Sequence, residues 1–285
     1  MTQRLTLQPH LKELGGGFVV RRALPDPQRR SVGPFVFFDH FGPVQVRPDD
    51  NIDVRPHPHI GLCTVSYLFE GGVMHRDSLG EVRRIEPGAI NLMTAGRGIV
   101  HSERRPEDLR DKESCLHGLQ LWLALPAADE EVEPSFEHTP AVAIPQVKND
   151  GVVTRVLIGS AFGTQSPVTP RSPTLYLDIA LKASAALRVP LAEERALYSV
   201  DAPFTLDGVA FPAHQMVLLA EGETPLLGAS GDARVVLIGG APLGRRHLTW
   251  NFVSSRADRI DKAIDDWRAQ RFDSVPGETE FTPYP

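Results

Sequence analysis

The chain has 285 residues and a formal net charge of −6, and 41% of its residues are hydrophobic and 23% charged. This composition is typical of a soluble protein with one large or two small domains. No apolar run reaches the roughly 18 residues of a membrane span, and no stretch combines clustered Lys or Arg with stacking aromatic residues. We therefore expect neither membrane insertion nor direct nucleic-acid binding.

The compartment is predicted from the first residues and from the cysteines. The N-terminal stretch MTQRLTLQPHLKELGGG contains no apolar segment of signal-peptide length, so we expect a cytoplasmic protein. Cys63 and Cys115 are the only cysteines, which suits a reducing compartment and excludes a scaffold held by several disulfides.

Short apolar stretches alternate with turn residues along most of the chain, which contains 24 Gly and 25 Pro. This rhythm indicates an all-β protein whose short strands close into barrels. Strands are predicted at 35–38, 64–69, 119–125, 152–158, 174–180, 196–200, 215–219 and 234–238.

An acidic, proline-containing segment at 129–134 is predicted to be a solvated connection, with a domain boundary nearby. We therefore expect an N-terminal lobe at 1–140 and a C-terminal lobe at 141–285. The second lobe should end in one long helix, since 255–258 has the pattern of a capping box. Ile260, Ile264 and Trp267 then recur on one helical face and are expected to pack on a barrel wall.

Two histidines stand one residue apart in the segment Arg55-Pro56-His57-Pro58-His59. In an extended strand the residues i and i+2 point to the same face, so His57 and His59 can bind one metal ion together. Each proline fixes its own φ and favours extended geometry in the residue before it. A proline cannot donate to a sheet ladder, which predicts a strand end or an edge strand.

A second pair follows about forty residues later, where a Gly-rich turn at 96–98 precedes His101 and Glu103. Three imidazoles and one carboxylate suit Fe(II), Mn, Co, Ni, Cu or Zn, and the lack of thiolate argues against a structural zinc site. A six-coordinate ion would keep two positions open for substrate and oxidant. For the first pair alone, a loop whose rings bond to the backbone is the alternative.

Other polar residues are weighed against structural roles. His40, next to Asp39, is more readily a buried ring bonded to that carboxylate or to the backbone than a further ligand. His75 and Asp77 could line the mouth of the site, but turn chemistry is the expected role of this pair. Cys63 is expected to be a small buried hydrophobic residue.

These motifs resemble the cupin superfamily and, more specifically, the pirin family. The resemblance covers nearly the whole chain, through RRSVGPFVFFDHFGP at 29–43, RPHPHIGL at 55–62, MTAGRGIVHSE at 93–103, LHGLQLWLALP at 116–126, and GGAPLG with NFV within 239–253. It implies two cupin-type β-barrel lobes.

The resemblance implies that His57, His59, His101 and Glu103 bind one metal ion in the first lobe, usually iron. The common cupin motif has a glutamate three or four residues beyond the second histidine, but this chain has Cys63 and Thr64 there. Glu103 would supply the carboxylate instead. The C-terminal lobe has no His-x-His pair and is expected to hold no metal.

The resemblance also implies an activity, since pirins classed as enzymes are quercetinases, which open the heterocyclic ring of a flavonol with dioxygen and release carbon monoxide. Glu103 would then be both a ligand and the catalytic base. The alternative is a metal- or redox-sensing regulator that binds a partner protein, as animal pirins do. A non-oxidative cupin such as an isomerase is a weaker third reading. A monomer is expected.

Overall fold

The structure is a computed structural model that describes residues 4–14 and 17–285. Within these residues the chain is mostly β-strand, and every strand predicted from the sequence overlaps an observed one. The strands of the first half are β1 Thr6–Leu7, β2 His10–Glu13, β3 Val19–Leu24, β4 Phe35–Val46, β5 Val54–His59, β6 Leu62–Glu70, β7 Val73–Asp77, β8 Val82–Ile85, β9 Ile90–Thr94, β10 Ile99–Arg104, β11 Ser114–Ala124 and β12 Ser135–Thr139.

Short strands continue through the second half. They are β13 Gln146–Asn149, β14 Val152–Ile158, β15 Ser160–Ala161, β16 Thr164–Gln165, β17 Thr174–Leu181, β18 Ala186–Arg188, β19 Glu194–Ser199, β20 Phe204–Leu206, β21 Val209–Phe211, β22 Met216–Leu219, β23 Leu226–Gly228, β24 Ala233–Gly240, β25 His247–Thr249 and β26 Phe252–Ser254. The helices are α1 Glu107–Arg110 and α2 Ala257–Arg268, with 3-10 turns at Ala127–Asp129 and Ala141–Ala143. The prediction of an all-β protein with a C-terminal helix is confirmed.

Backbone contacts divide the chain into two compact units. We call residues 13–14, 17–20, 41–141 and 243–285 the site unit, and residues 4–12, 21–40 and 142–242 the companion unit. The chain passes between units at Ala141 and Val142, close to the predicted boundary, but residues 243–285 group with the site unit. The division into domains at 1–140 and 141–285 therefore stays a prediction.

The companion unit contains a seven-stranded antiparallel sheet in the order β1-β22-β19-β24-β17-β14-β13 and a four-stranded sheet in the order β18-β23-β20-β21. Strand side chains alternate between the two faces of a sheet. Along β17, Leu175, Leu177 and Ile179 accordingly enter one buried apolar cluster. Residues of the smaller sheet, such as Phe204 and Leu227, complete that cluster.

The site unit contains a four-stranded sheet in the order β5-β10-β7-β8, and β12-β9-β6-β11 follow one another in a larger sheet. In the four-stranded sheet β5 is one of the two edge strands. This position agrees with the edge location that Pro56 and Pro58 predict, because neither proline can donate to a second neighbour.

Helix α2 packs inside the site unit. Ile260, Ala263 and Trp267 are buried in a cluster with Ile60 and Val100, which agrees with the predicted apolar stripe. Within the described residues, neither helix combines the length and hydrophobicity that crossing a membrane requires.

The predicted capping box of α2 was wrong. The N-cap is Arg256, with an extended backbone and no side-chain capping bond. The hydroxyls of Ser254 and Ser255 instead donate to the Glu130 carboxylate.

The sequence predicts that the acidic segment 129–134 is solvated, but the structure buries one of its carboxylates. Glu130 is only 4% exposed. Besides the two serine hydroxyls, its carboxylate contacts the Arg246 guanidinium, with Arg246 Nε 3.1 Å from Oε1. A buried carboxylate needs such partners to offset the lost hydration. Glu130 therefore ties the segment to the chain around residues 246–255.

Candidate metal centre

The three predicted histidine ligands lie on two neighbouring antiparallel strands. His57 and His59 are on β5 and His101 is on β10, and the Cα of His101 pairs with that of His57. The register places Ile99 opposite His59. Residues two apart on β5 and their neighbour on β10 therefore project from one face of the sheet.

The side chains converge in the interior. One ring nitrogen from each of His57, His59 and His101 lies within 4.8 Å of the other two. The distance between His59 Nε2 and His101 Nε2 is 3.1 Å. The three residues are 8%, 1% and 2% exposed. Nitrogens this close and this buried can be bridged by a single ion.

Burial controls the charge of these rings. Loss of hydration is the main cause that lowers the pKa of His57 to about 4. Burial, with the neighbouring histidines, holds the pKa of His59 and of His101 well below the ordinary value. Only a neutral imidazole offers a lone pair to a metal. The three rings are therefore in the ligating form at neutral pH.

Backbone carbonyls orient two of the rings. His57 Nδ1 lies 2.9 Å from the carbonyl oxygen of Arg55, and His59 Nδ1 lies 3.1 Å from that of Asn251. A carbonyl oxygen can only accept, so each Nδ1 carries the proton and each Nε2 keeps its lone pair. The alternative raised for the His-x-His pair, a loop whose rings bond to the backbone, is wrong about the loop, because both residues lie on a strand. Both rings do bond the backbone, and their Nε2 atoms stay available.

Glu103 is placed differently from the histidines. It lies on β10 two residues after His101, with a β-bulge in the pairing to β5 between them. Its carboxylate is outside the group of ligand atoms that lie within 4.8 Å of one another among the described residues. Burial raises the pKa of Glu103, and His75 opposes that shift. Its roles as ligand and base stay predictions.

The other candidates have structural partners. The Cys63 thiol lies 3.3 Å from the Thr94 hydroxyl. His40 is buried in the companion unit, and its Nδ1 lies 2.9 Å from the Tyr198 hydroxyl. The expected turn chemistry of Asp77 is confirmed, because its Oδ1 accepts the backbone N–H groups of Leu79 and Glu81.

Three further residues contact the candidate ligands, and of these only His75 is named from the sequence, as a residue of the site mouth. His75 Nδ1 lies 3.4 Å from His101 Nδ1, the Trp122 ring meets His59 edge-on at 5.1 Å, and Asn251 bonds His59. The His-x-Asp spacing of His75 and Asp77 was visible as a same-face pair on a strand. Nothing local indicates Asn251, which is 192 residues from His59.

The donor set fits a divalent metal ion. Three neutral imidazole nitrogens converge, two of them through lone pairs fixed by carbonyl partners, and nitrogen ligands suit Fe, Co, Ni, Cu and Zn. A carboxylate lies two residues from one ligand on the same strand.

Fold and site together define a two-domain cupin with a candidate metal centre in one domain. Residues 17–123 match the family model described as pirin, and residues 176–273 match the model of the pirin C-terminal cupin domain. The chain belongs to the pirin family, which confirms the resemblance found in the sequence.

Relatives cover almost the whole chain. A pirin-like protein of Caulobacter vibrioides is 43% identical over 287 residues, covering 99% of each chain. Human pirin is 35% identical over 268 residues, covering 89% of this chain and 88% of its own. The crystal structure of a quercetin 2,3-dioxygenase from Acinetobacter baumannii superposes with a TM-score of 0.92 at 36% identity, covering 99% of this chain and 94% of the other.

Proposed function

We propose that this protein is a metal-dependent dioxygenase that opens the heterocyclic ring of flavonols such as quercetin and releases carbon monoxide. The observation that carries the proposal is the buried group of three neutral imidazoles with ring nitrogens within 4.8 Å of one another. The 36% identity to the quercetin 2,3-dioxygenase of Acinetobacter baumannii supports the substrate class.

The proposed cofactor is one divalent transition metal ion, Fe(II) in the first instance, with Mn, Co, Ni, Cu and Zn as further candidates. His57, His59 and His101 would hold it, and Glu103 would be the fourth ligand. When bound, the ion would supply Lewis-acid polarisation of the substrate's oxygens and redox chemistry with dioxygen.

Glu103 is the proposed proton acceptor. A flavonol must lose its hydroxyl proton before its ring becomes electron-rich enough to react with dioxygen. The histidines are poor proton acceptors, because their pKa values are lowered and their ligating nitrogens would be occupied by the metal ion. The pKa of Glu103 is raised by burial, so its carboxylate is a stronger base than an exposed one.

Aromatic side chains that pack against His59 and His75 would exclude water from the site and hold these rings in place. Trp122, 6% exposed, packs edge-on against His59, and Phe136 stacks on His75 at 4.4 Å. Exclusion of water would strengthen the interaction of a flavonol anion with the positive charge of the bound metal ion. Reaction with dioxygen then places both oxygen atoms in the ring-opened product, while one ring carbon leaves as carbon monoxide.

The test is oxygen uptake by metal-loaded protein with quercetin, with carbon monoxide measured in the same vessel. Glu103→Gln keeps the side chain's size but removes the base, and we expect turnover to fall by about 10²- to 10⁴-fold. Glu113→Gln, at an exposed position of the site unit, is the matched control. Wild-type protein that carries a full metal equivalent but consumes no oxygen with any of several flavonols would refute the enzymatic assignment.

A metal- or redox-sensing regulator is the second candidate, and one contact favours it. Ser102 and Arg104 alternate with the ligand-side residues of β10 and bind Glu278 near the C-terminus. A change of metal state could thus reach the surface through one strand. Partner capture that requires Fe(II) and is lost with Fe(III), in protein without flavonol turnover, would select this reading.

A further inference from the structure

Two rows of side chains cross the strands β12-β9-β6-β11 of the site unit on one face of their sheet. Directly paired residues of neighbouring strands share a face, as do residues two apart on one strand. The first row is Trp122, Thr64, Met93 and Phe136. The second row, which we call the polar row, lies two residues away along each strand and consists of Gln120, Ser66, Asn91 and His138.

The first row faces the candidate metal centre. At one end the Trp122 ring meets the His59 ring with centroids 5.1 Å apart, and at the other end Phe136 stacks on His75 at 4.4 Å. Two residues of an antiparallel strand advance by about 7 Å. The polar row therefore lies on the same inner face, about 7 Å along the strands from the side chains that touch the histidines.

The polar row is partly open to solvent. Gln120 is partly exposed although β11 has a neighbouring strand on each side, so solvent reaches it across the face of the sheet. Trp122, on the same face, is only 6% exposed. Beyond the row the face is closed, because Leu68, two residues after Ser66, is buried in an apolar cluster with Phe41. The polar row is thus an accessible strip between the metal centre and an apolar cluster.

The polar row has hydrogen-bonding capacity that the protein does not use. Ser66 Oγ donates to Gln120 Oε1 at 2.8 Å, which leaves Nε2 of that amide without a partner in the part of the chain that the structure describes. Asn91 Oδ1 lies 2.5 Å from His138 Nδ1, and Asn91 Nδ2 is buried with no partner among the same residues. If either amide were turned end for end, its oxygen would be the unused end instead. Amides on an inner face rarely stay unpaired, so the row is suited to a polar ligand.

We propose that Gln120, oriented by Ser66, is the specificity-determining residue that hydrogen-bonds a hydroxyl group at the end of the substrate remote from the metal ion. A hydroxyl both donates and accepts, so it can bond either end of the amide. An aromatic molecule of two fused rings spans the distance between the histidines and the polar row.

The site therefore favours polyhydroxylated aromatic molecules over those that carry only the oxygens bound by the metal. A site built to bond a substrate hydroxyl discriminates against an analogue that lacks it, because the polar group of the site is then left unpaired. This inference rests on the proposed function and names the recognition element of its substrate.

Anaerobic binding of two flavonols to metal-loaded protein tests the inference. Quercetin carries hydroxyl groups on both outer rings, whereas 3-hydroxyflavone carries only the hydroxyl beside the carbonyl. Quenching of tryptophan fluorescence gives each Kd, since Trp122 lies beside the site. Gln120→Met keeps the length of the side chain and removes the amide. We expect the Kd of quercetin to rise about 3- to 10-fold and that of 3-hydroxyflavone to change by less than about twofold.

Ser66→Ala tests the orienting contact and serves as a second variant if Gln120→Met fails to fold. It should raise the Kd of quercetin about 2- to 3-fold in the wild-type background. It should have no further effect in Gln120→Met, because the two residues act through one contact. Gln45→Met, at an exposed position of the site unit, is the matched control and should leave both Kd values unchanged.

Turnover separates recognition from a structural role. Gln120→Met should raise KM for quercetin by the same factor as Kd and leave kcat within about twofold, because the lost contact is present in both the bound substrate and the transition state.

Equal weakening of both flavonols by Gln120→Met, or an unchanged Kd for quercetin, would overturn the inference and leave the proposed function intact. Protein that shows the expected differences in binding but consumes no oxygen would refute the proposed reaction and support recognition by Gln120. Protein that binds neither flavonol would overturn both.

Discussion

Acid should destabilise the metal-free protein through the buried histidines, and His57 gives the magnitude. Its pKa is about 4 in the folded chain, against an ordinary value of 6.5. The unfolded ring therefore binds a proton at a higher pH than the folded ring. By linkage, the free energy of unfolding is unaffected above pH 6.5 and falls as the pH drops from 6.5 towards 4.

The folded and ordinary pKa values of His57 differ by about 2.5 units. At about 1.36 kcal/mol per unit, this difference corresponds to at most about 3.4 kcal/mol in the free energy of unfolding. Between pH 7.5 and pH 5, His57 alone lowers the free energy of unfolding by about 2 kcal/mol by the same linkage relation. His59 and His101 add to this loss, because their pKa values are also lowered by burial. Glu103 opposes it, because a raised carboxyl pKa favours the folded state as the pH falls.

The assay is urea unfolding of chelator-treated protein at the two pH values, followed by tryptophan fluorescence. All three tryptophans lie in the site unit, so the signal reports the unit that carries the histidines. His57→Gln should reduce the loss on acidification by about 2 kcal/mol, since the proton-binding ring is gone.

The exposed His10→Gln should behave as wild type. Taking the difference between variants removes the contributions of Glu103 and of other groups that do not interact with His57. If His57→Gln and wild type lost equal stability between the two pH values, the ring would not be buried in its neutral form and the reasoning would be wrong.

Further predictions concern stability and metal binding. Glu130→Gln should cost about 3–5 kcal/mol in urea unfolding, because it leaves the Arg246 charge buried without its partner, whereas the exposed Glu133→Gln should be nearly neutral. Gly61→Ala should cost about 2–3 kcal/mol, since φ is +66° and an added Cβ would lie 2.0 Å from the Val253 carbonyl oxygen; unchanged unfolding would contradict this. Ni²⁺ at one hundred times its Kd should stabilise the metal-free protein by about 2.7 kcal/mol, and excess chelator should reverse the gain in melting temperature.

Local sequence patterns were sufficient to predict β5 and β10, the two strands that carry the candidate ligands. The spacing of His57 and His59 and the two prolines predicted a shared face and an edge strand, because both follow from backbone geometry within five residues. His101 was found the same way, from a glycine turn followed by an extended segment.

Features that depend on distant chain segments could not be predicted. The carbonyl of Asn251 that orients His59, and the burial of Glu130 beside Arg246, both join positions more than 100 residues apart. No periodicity encodes such a pairing. The capping box failed for a related reason, since Glu130 competes for the hydroxyl of Ser255.

Side chains alternate between the two faces along β5 and β10, which places the candidate ligands on one face and apolar neighbours against α2. Ile60 follows His59 and Val100 precedes His101, and both apolar side chains enter the cluster that contains Ile260 and Trp267 of α2. A displacement of α2 would thus move residues bonded directly to two candidate ligands. Because metal affinity depends on nitrogen positions within a few tenths of an ångström, the rigidity of the centre depends on packing contributed by residues 250–284. This dependence explains physically why the C-terminal segment groups with the histidine strands.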